Sequence, residues 1–255
     1  MNVLVAVKRV PQTGGTIVLT ADRQSIDTRY LGFTVSPHEE CAVEEAVRIV
    51  EAKRGTSTVL TLGPDESTEQ LREAMAIGID RAILLETDGS EWDPIATAAA
   101  IVDAVRTREA VDGPFDLLMF GNEAADTGDY QVAIRVATAL DRPCVSGLKG
   151  LEIRDGTLTG RREATGGWEV YEAPLPAVVT VKEGINLPRY PSVPGRIRAK
   201  KKDIERIVPA APRSATAKIG LRLPQEAETV VEILGTGPEA APRVVELLRR
   251  LGLIA

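Results

Sequence analysis

Hydrophobic positions in the first 140 residues alternate between two patterns. Short runs of aliphatic residues, such as VLVAV at 3–7, are typical of strands buried on both faces, whereas apolar residues three or four apart predict helices. Each predicted strand precedes a predicted helix, and this order favours a parallel sheet flanked by helices. The predicted strands are 3–7, 58–62, 82–85 and 117–120, and the predicted helices are 39–52, 67–77, 94–108 and 129–140.

From residue 148 onward the pattern indicates a β-rich extension of the same sheet. Asp155 and Gly156 stand between two extended runs, which is a strong hairpin signal. Strands are predicted at 151–153, 157–161, 168–172, 177–181 and 204–208. We therefore predict an α/β domain over 1–208. An extended C-terminal arm over 209–255 would end in an amphipathic helix at 242–254, which would pack on a partner chain.

Composition and charge narrow the chemistry. The chain has 255 residues, 44% hydrophobic and 27% charged, as in ordinary globular proteins, and no apolar run long enough to cross a bilayer. A formal net charge of −6 argues against nucleic acid as the main ligand. His38 is the only histidine, which excludes a multi-histidine metal site. Cys41 and Cys144 form no CxxC pair and indicate reduced thiols of a cytoplasmic protein. Glu44 and Glu45 are interpreted as part of a solvated helix face.

A proline-rich segment followed by a basic run occupies 181–204 and reads VKEGINLPRYPSVPGRIRAKKKDI. Its prolines remove backbone donors and favour extended neighbours, so a stiff surface loop rather than a helix is predicted before Arg198. An apolar tip in front of basic residues is typical of a protein-docking surface, although composition alone favours an ordinary proline-rich linker with a solvated basic flank. The residues expected to dock a partner are Tyr190, Val193, Pro194, Arg198 and Lys200.

Three segments fall where ligands bind in an open parallel sheet, beyond the carboxyl ends of the strands. They are 6–11, 62–64 and 121–132, the last reading GNEAADTGDYQV. Small residues there allow close backbone approach. A helix beginning near Asp129 and capped by Asp126 or Thr127 would turn free N–H groups toward an anion. This pattern suits a nucleotide phosphate, and a loop that only caps its own helix explains it as well.

Longer motifs resemble the β subunit of electron transfer flavoproteins over nearly the whole chain. They are VAVKRV at 5–10, SPHEECAVEEAV at 36–47, GNEAADTGDYQVA at 121–133, GRREATGG at 160–167 and LPAVVTVKEGINLPRYPS at 175–192. The resemblance implies an adenine-nucleotide α-hydrolase-like or Rossmann-like fold. It also implies an electron carrier rather than an enzyme, with FAD held mainly by an α subunit. Electrons would come from flavin dehydrogenases of the acyl-CoA dehydrogenase type and pass to a quinone reductase, with 184–202 as recognition loop and Val193 as its apolar anchor.

The resemblance also implies a nucleotide site, because family members bind AMP between the strand-end loops. The position of His38 would in addition lie beside the flavin. Carried over to this sequence, the contacts are Ala6, Ser36, Pro37, His38, Glu39, Leu62, Gly121, Asn122, Glu123, Ala124, Asp126, Thr127, Gly128, Asp129, Tyr130, Gln131 and Val132.

Several positions depart from the AMP-binding pattern. Ser36 replaces a common Asn, Leu62 replaces a Cys, and 126–132 lacks the usual Asn-Gln-Thr run. Gln131 and Val132 instead resemble electron-bifurcating relatives, in which a second FAD occupies this site. AMP is the main expectation and a second FAD the alternative. A stand-alone nucleotide-binding α/β protein is the alternative outside the family.

Overall fold

Apolar strands buried on both faces form the centre of the structure. The computed structural model describes residues 1–12, 14, 16–210, 216–224 and 231–254. Its strands are β1 (Asn2–Ala6), β2 (Val10–Pro11), β3 (Phe33–Thr34), β4 (Thr56–Gly63), β5 (Arg81–Glu86), β6 (Leu117–Gly121), β7 (Cys144–Arg154), β8 (Thr157–Ala164), β9 (Gly167–Pro174), β10 (Ala177–Val181) and β11 (Glu205–Ile207). Its helices are α1 (Pro37–Lys53), α2 (Thr68–Ile77), α3 (Pro94–Asp112), α4 (Val132–Ala139), α5 (Val193–Lys201) and α6 (Ala241–Arg250).

Within the described residues, nine strands form one sheet in the order β11-β5-β4-β1-β6-β10-β7-β8-β9. Neighbours from β11 to β7 are parallel, whereas β7, β8 and β9 are antiparallel. Val3 and Val5 belong to the core on the side of α1 and α2, while Leu4 and Ala6 belong to the core on the side of α3 and α4. Covering both faces explains why VLVAV has no polar position. The predicted α/β fold with a mostly parallel sheet is confirmed.

The predicted hairpin forms at Asp155 and Gly156, which join β7 to β8. Both residues have positive φ, 50° and 77°, as two-residue turns that match the strand twist require. The strands around this turn are longer than predicted, because β7 continues from its parallel pairing with β10 into the antiparallel extension.

The prediction of a loop up to Arg198 is wrong, because α5 begins at Val193. Pro194 lies in the first turn, where a missing N–H loses no helical hydrogen bond. Ser192 caps the helix by accepting from the Gly195 N–H at 3.1 Å. Most of the basic run is therefore helical. The buried residues of α5 are Gly195 and Ala199.

The C-terminal region is described in two parts, 216–224 and 231–254. The first part lies against the body of the chain, since the Leu221 N–H donates to the Arg23 carbonyl at 2.7 Å. Part of the predicted connector at 209–217 lies outside the described residues. The predicted amphipathic helix forms as α6, where Val244 and Val245 are 40% and 37% exposed. Its packing on a partner remains a prediction. No helix in the described ranges is both long enough and apolar enough to cross a membrane.

Close packing of α5 on α2 yields a stability prediction. A Cβ added at Gly195 would overlap the backbone carbonyl oxygen of Ala76 in α2. We expect Gly195→Ala to lower the free energy of unfolding by about 1–3 kcal/mol, because a backbone atom must move to relieve the overlap. Urea unfolding measures the change. Gly167→Ala is the matched control, since nothing lies within 4 Å of its added Cβ. Equal stability of the two variants would contradict the prediction.

Candidate functional site: a cleft at the carboxyl edge of the sheet

Strands β4, β1 and β6 end side by side, because the register pairs Ala6 with both Leu60 and Phe120. Beyond their carboxyl ends opens a cleft of about 680 Å³, within the size range of small-molecule sites. Twelve of the sequence-predicted contacts line it: Ala6, Glu39, Leu62, Gly121, Asn122, Glu123, Ala124, Asp126, Thr127, Asp129, Tyr130 and Val132.

The other predicted contacts are neighbours of the lining residues and do not line the cleft themselves. These are Ser36, Pro37, His38, Gly128 and Gln131. Sequence reasoning also missed part of the wall. Trp92 and Thr97 lie around the start of α3. Arg9 lies just before β2, and Phe33 lies in β3. Of these four, only Arg9 had a signal in the sequence, because it belongs to the VAVKRV motif and to the segment 6–11 expected at the ligand-binding edge, although it was not among the predicted contacts.

The N-terminus of α1 forms one wall through a reciprocal cap. The Ser36 side chain accepts from the Glu39 N–H at 3.2 Å, and the Glu39 carboxylate accepts from the Ser36 N–H at 2.8 Å. The same carboxylate accepts from the Lys8 N–H at 2.7 Å, which ties the loop after β1 to α1. Gly121 permits this approach, because a Cβ there would lie 2.7 Å from Glu39 Cγ.

Burial changes the acidity of Glu39. The side chain is 6% exposed, and loss of solvation raises its pKa to about 7, although hydrogen bonds from Ser36 and Lys8 oppose the rise. Glu39 lies in the wall of the cleft and therefore gains or loses its proton near neutral pH.

The loop 122–131 is held by polar contacts that differ from the predicted cap. Helix α4 begins at Val132 rather than near Asp129, and neither Asp126 nor Thr127 caps it. Asp129 instead accepts from the Gln131 N–H at 2.7 Å, and Gly128 turns with φ 65°. Because the Gln131 N–H is bonded within this turn, the helix begins only after it and is shorter than predicted.

Asn122 and Asp126 fix this loop to neighbouring strands. Asn122 Oδ1 accepts from the Thr180 hydroxyl at 2.9 Å, and that hydroxyl accepts from the Gly147 N–H at 2.8 Å. Asp126 pairs with Lys8 Nζ at 2.7 Å, so an ion pair joins the loops that follow β1 and β6. The cleft thus has a pre-formed polar wall along 122–126.

His38 lies beside the cleft rather than in its lining. Its Nδ1 accepts from the Glu183 N–H at 2.7 Å, and its Nε2 lies 3.8 Å from a carboxylate oxygen of Glu123. The imidazole therefore joins the start of α1 to the segments after β10 and β6. The ring is held in this orientation and is partly exposed, with 21% of the His38 side chain accessible.

The segment 184–192, before α5, is bound to α1 by an ion-pair cluster. Arg189 donates to Glu44 at 2.9 Å and to Glu51 at 2.8 Å, and Arg48 donates to Glu44 at 2.8 Å. Glu44 is 1% exposed, so its interpretation as a solvated residue is wrong. Its partner stands 145 positions away in the chain, beyond the reach of any local pattern.

A second attachment lies at Asn186. Its side-chain N–H group donates to the Cys41 carbonyl at 3.0 Å and to Glu45 at 2.9 Å. Tyr190, after these anchors, is 96% exposed, and Val193, the first residue of α5, is 72% exposed. Pro194, Arg198 and Lys200 of α5 are exposed as well. All five residues predicted to dock a partner therefore lie on the surface, Tyr190 in the segment 184–192 and the other four in α5.

Fold and cleft together define an α/β protein with a ligand cleft at the strand ends. Comparison with known proteins identifies the family. The electron transfer flavoprotein domain model matches residues 25–212. The chain is 35% identical to electron transfer flavoprotein subunit beta of Bacillus subtilis (strain 168), over 98% of both chains. It is 33% identical to the protein of the same name from Mycobacterium leprae, over 97% of both, and 32% identical to that from Syntrophomonas wolfei, over 98% of this chain and 96% of the relative.

The chain therefore belongs to the electron transfer flavoprotein family, as a β subunit. The resemblance carried by the sequence motifs is confirmed. Members of this family are electron transfer proteins rather than classical enzymes.

The cap at Glu39 yields a pH prediction. The pKa of Glu39 is about 7 in the folded state, against 4.5 for the ordinary carboxyl group. Between these two pH values the folded state therefore binds more protons than the unfolded state. This contribution to stability is fully present below the lower value and is lost as pH rises through the upper one. We expect the free energy of unfolding to fall with rising pH by an amount on the order of 1–3 kcal/mol from this residue.

Glu39→Gln is the test, measured by urea unfolding across that pH range. The variant should lose this part of the pH dependence. It should also be less stable by about 1–3 kcal/mol at low pH, because the amide leaves one of two backbone N–H groups without an acceptor. Glu172→Gln on β9, an exposed position, is the control. An unchanged pH profile in Glu39→Gln would contradict the prediction.

The Arg189 cluster yields a prediction about the same segment. We expect Glu44→Gln to lower the free energy of unfolding by about 1–3 kcal/mol, less than a fully buried pair, because Arg189 and Arg48 are 37% and 46% exposed. Amide hydrogen exchange over 184–192 should speed up while α3 stays unchanged. The control is Glu152→Gln, which breaks the exposed pair with Arg154. If exchange in 184–192 is as slow as in the unsubstituted protein, Glu44 does not anchor the segment.

Proposed function

We propose that this chain is the small subunit of a heterodimeric electron carrier and pairs with an electron transfer flavoprotein α subunit. The α subunit holds most of the FAD, which supplies the electron chemistry when bound. Electrons arrive from flavin dehydrogenases of the acyl-CoA dehydrogenase type and leave toward a quinone reductase. The observation that carries the proposal is the exposure of two apolar side chains: Tyr190, on the segment that Arg189 binds to α1, and Val193, at the start of α5.

The chain contributes a wall of the flavin site and a nucleotide site. His38, with its ring nitrogens directed at Glu183 and Glu123, is the residue proposed beside the flavin. AMP is proposed in the cleft, whose lining includes the small residues Ala6 and Ala124 and the polar residue Asn122. These residues fit an adenine nucleotide.

A second FAD in place of AMP is the alternative nucleotide. It is favoured by Gln131 and Val132, which resemble the bifurcating relatives, and by a cleft volume of about 680 Å³, which admits more than a mononucleotide. A cytoplasmic location also belongs to the proposal. It is supported by two cysteines, buried Cys41 and exposed Cys144, that form no disulfide.

The electron-carrier proposal is tested with the heterodimer purified after co-expression with its α subunit. Mixing it with an acyl-CoA dehydrogenase and substrate should bleach the flavin absorbance of the complex. A complex that binds FAD and is not reduced by any such dehydrogenase would contradict the proposed donor. A chain that forms a homodimer without flavin would favour the stand-alone nucleotide-binding protein.

Val193 provides the sharpest mutational prediction. We expect Val193→Ala to raise the KM for the flavoprotein in a dehydrogenase assay by roughly 5- to 100-fold, because an apolar hot spot at a docking tip contributes about 1–3 kcal/mol. The kcat and FAD content should not change, since Val193 lies on α5 and away from the cleft lining. Val111→Ala is a matched control, as Val111 and Val193 are both 72% exposed. Equal KM values for the two variants would remove Val193 as the anchor.

A further inference from the structure

Buried polar atoms without hydrogen-bond partners are concentrated at one place near the cleft. Among the described residues, five buried side-chain nitrogen or oxygen atoms lack a partner, and four of them belong to Arg9, Ser67 and Gln70. Buried polar groups in folded proteins are nearly always hydrogen-bonded, and exceptions often mark a bound ion, water or ligand. The concentration of exceptions in three side chains therefore calls for a common explanation.

Ser67 stands immediately before α2, a helix of ten residues, and lines the cleft. It is completely buried, yet its hydroxyl makes no cap hydrogen bond to the helix. Gln70 follows three residues later, so it shares a face of the helix with Ser67, and it is 2% exposed. The backbone N–H of Thr68, the first residue of α2, already donates to the carbonyls of Asp65 and Glu66, so the donor left without a partner here is the Ser67 hydroxyl beside the cleft.

Arg9 supplies positive charge at the same end of the cleft. Its guanidinium lies 3.3 Å from the centre of the Phe33 ring, and it lines the cleft together with Ser67. Stacking on a ring leaves the edge of the guanidinium free to donate in its own plane. Glu66, in the short 3₁₀ turn before α2, and Glu69, in α2, act on Arg9 electrostatically, but both are exposed, and among the described residues neither forms an ion pair with it.

We infer that the cleft contains a second anion subsite at the first turn of α2, where Arg9 and Ser67 bind a phosphate group. A hydroxyl and a guanidinium are donors that proteins use for phosphate oxygens. In the sheet, β1 separates β4, which leads to this subsite, from β6, which leads to the loop 122–131. One phosphate therefore does not serve both places. The inference extends the proposed function, because it places a second anionic group in the same cleft.

The test uses the heterodimer with its α subunit, saturated with AMP, and inorganic phosphate as the probe. Isothermal titration should detect saturable phosphate binding in the AMP-loaded complex. Arg9→Met and Ser67→Ala should each weaken it at least tenfold, whereas Arg29→Met, at an exposed arginine paired with Asp27, should leave it unchanged. Ser67→Ala removes a single oxygen and so guards against a folding defect in Arg9→Met. FAD content, measured on every variant, reports folding and the electron-carrier function independently.

Three outcomes would overturn the inference: no saturable phosphate binding, binding that AMP abolishes, or binding of equal strength in all variants. None of these affects the electron-carrier proposal as long as FAD content and reduction are normal. If the complex does not bind AMP, the proposed nucleotide fails separately, and the same variants are compared in the nucleotide-free complex. Repeating the titration with ADP identifies the source of the phosphate. If inorganic phosphate no longer binds to the ADP-loaded complex, the subsite holds the second phosphate of a nucleotide. If it binds as strongly as to the AMP-loaded complex, the subsite holds free phosphate.

Discussion

Two buried carboxylates on α1 connect the surfaces on which the proposed function depends. Glu39 holds the loop after β1 through the Lys8 N–H and closes one wall of the cleft. Glu44, five residues along the same helix, holds Arg189 and with it the segment that presents Tyr190. A buried carboxylate is unfavourable unless donors surround it, so each requires its partners in place before α1 can pack on the sheet. The cleft wall and the docking segment are therefore built on one helix.

The pKa values of the two carboxylates shift in opposite directions because their partners differ. Glu39 receives neutral donors, and burial raises its pKa to about 7. Burial also acts to raise the pKa of Glu44, but hydrogen bonds and charge from Arg189 and Arg48 outweigh it and lower the pKa. The cleft wall thus responds to pH near neutrality, whereas the docking anchor stays ionised. Helix α2 has a similar double role, since its first turn borders the cleft and its last turn, at Ala76, packs against Gly195 of α5.

Sequence patterns predicted the elements whose causes are local. Continuous apolar runs identified the parallel strands, and Asp155 and Gly156 identified the hairpin. Where competing local signals occur, the pattern was misleading: Pro194 starts α5 rather than preventing it. Turns formed by Asp129 and Gly128 delay the start of α4.

The remaining contacts depend on residues distant in the chain. Glu44 and Glu45 cannot be distinguished from solvated glutamates until Arg189 and Asn186 are brought to them. Arg9 likewise becomes part of the cleft only when Phe33 and α2 surround it. The motif resemblance predicted some contacts that local patterns could not, because it carries over nucleotide contacts that periodicity does not indicate. Twelve of these contacts line a single cleft.

The most direct test of the account is to count the nucleotides in the purified heterodimer. The complex with the α subunit is denatured, and the released FAD and AMP are quantified against protein. The account predicts one FAD and one AMP per heterodimer. Two FADs without AMP would contradict the nucleotide assigned to the cleft, and a complex without FAD would contradict the electron-carrier function itself.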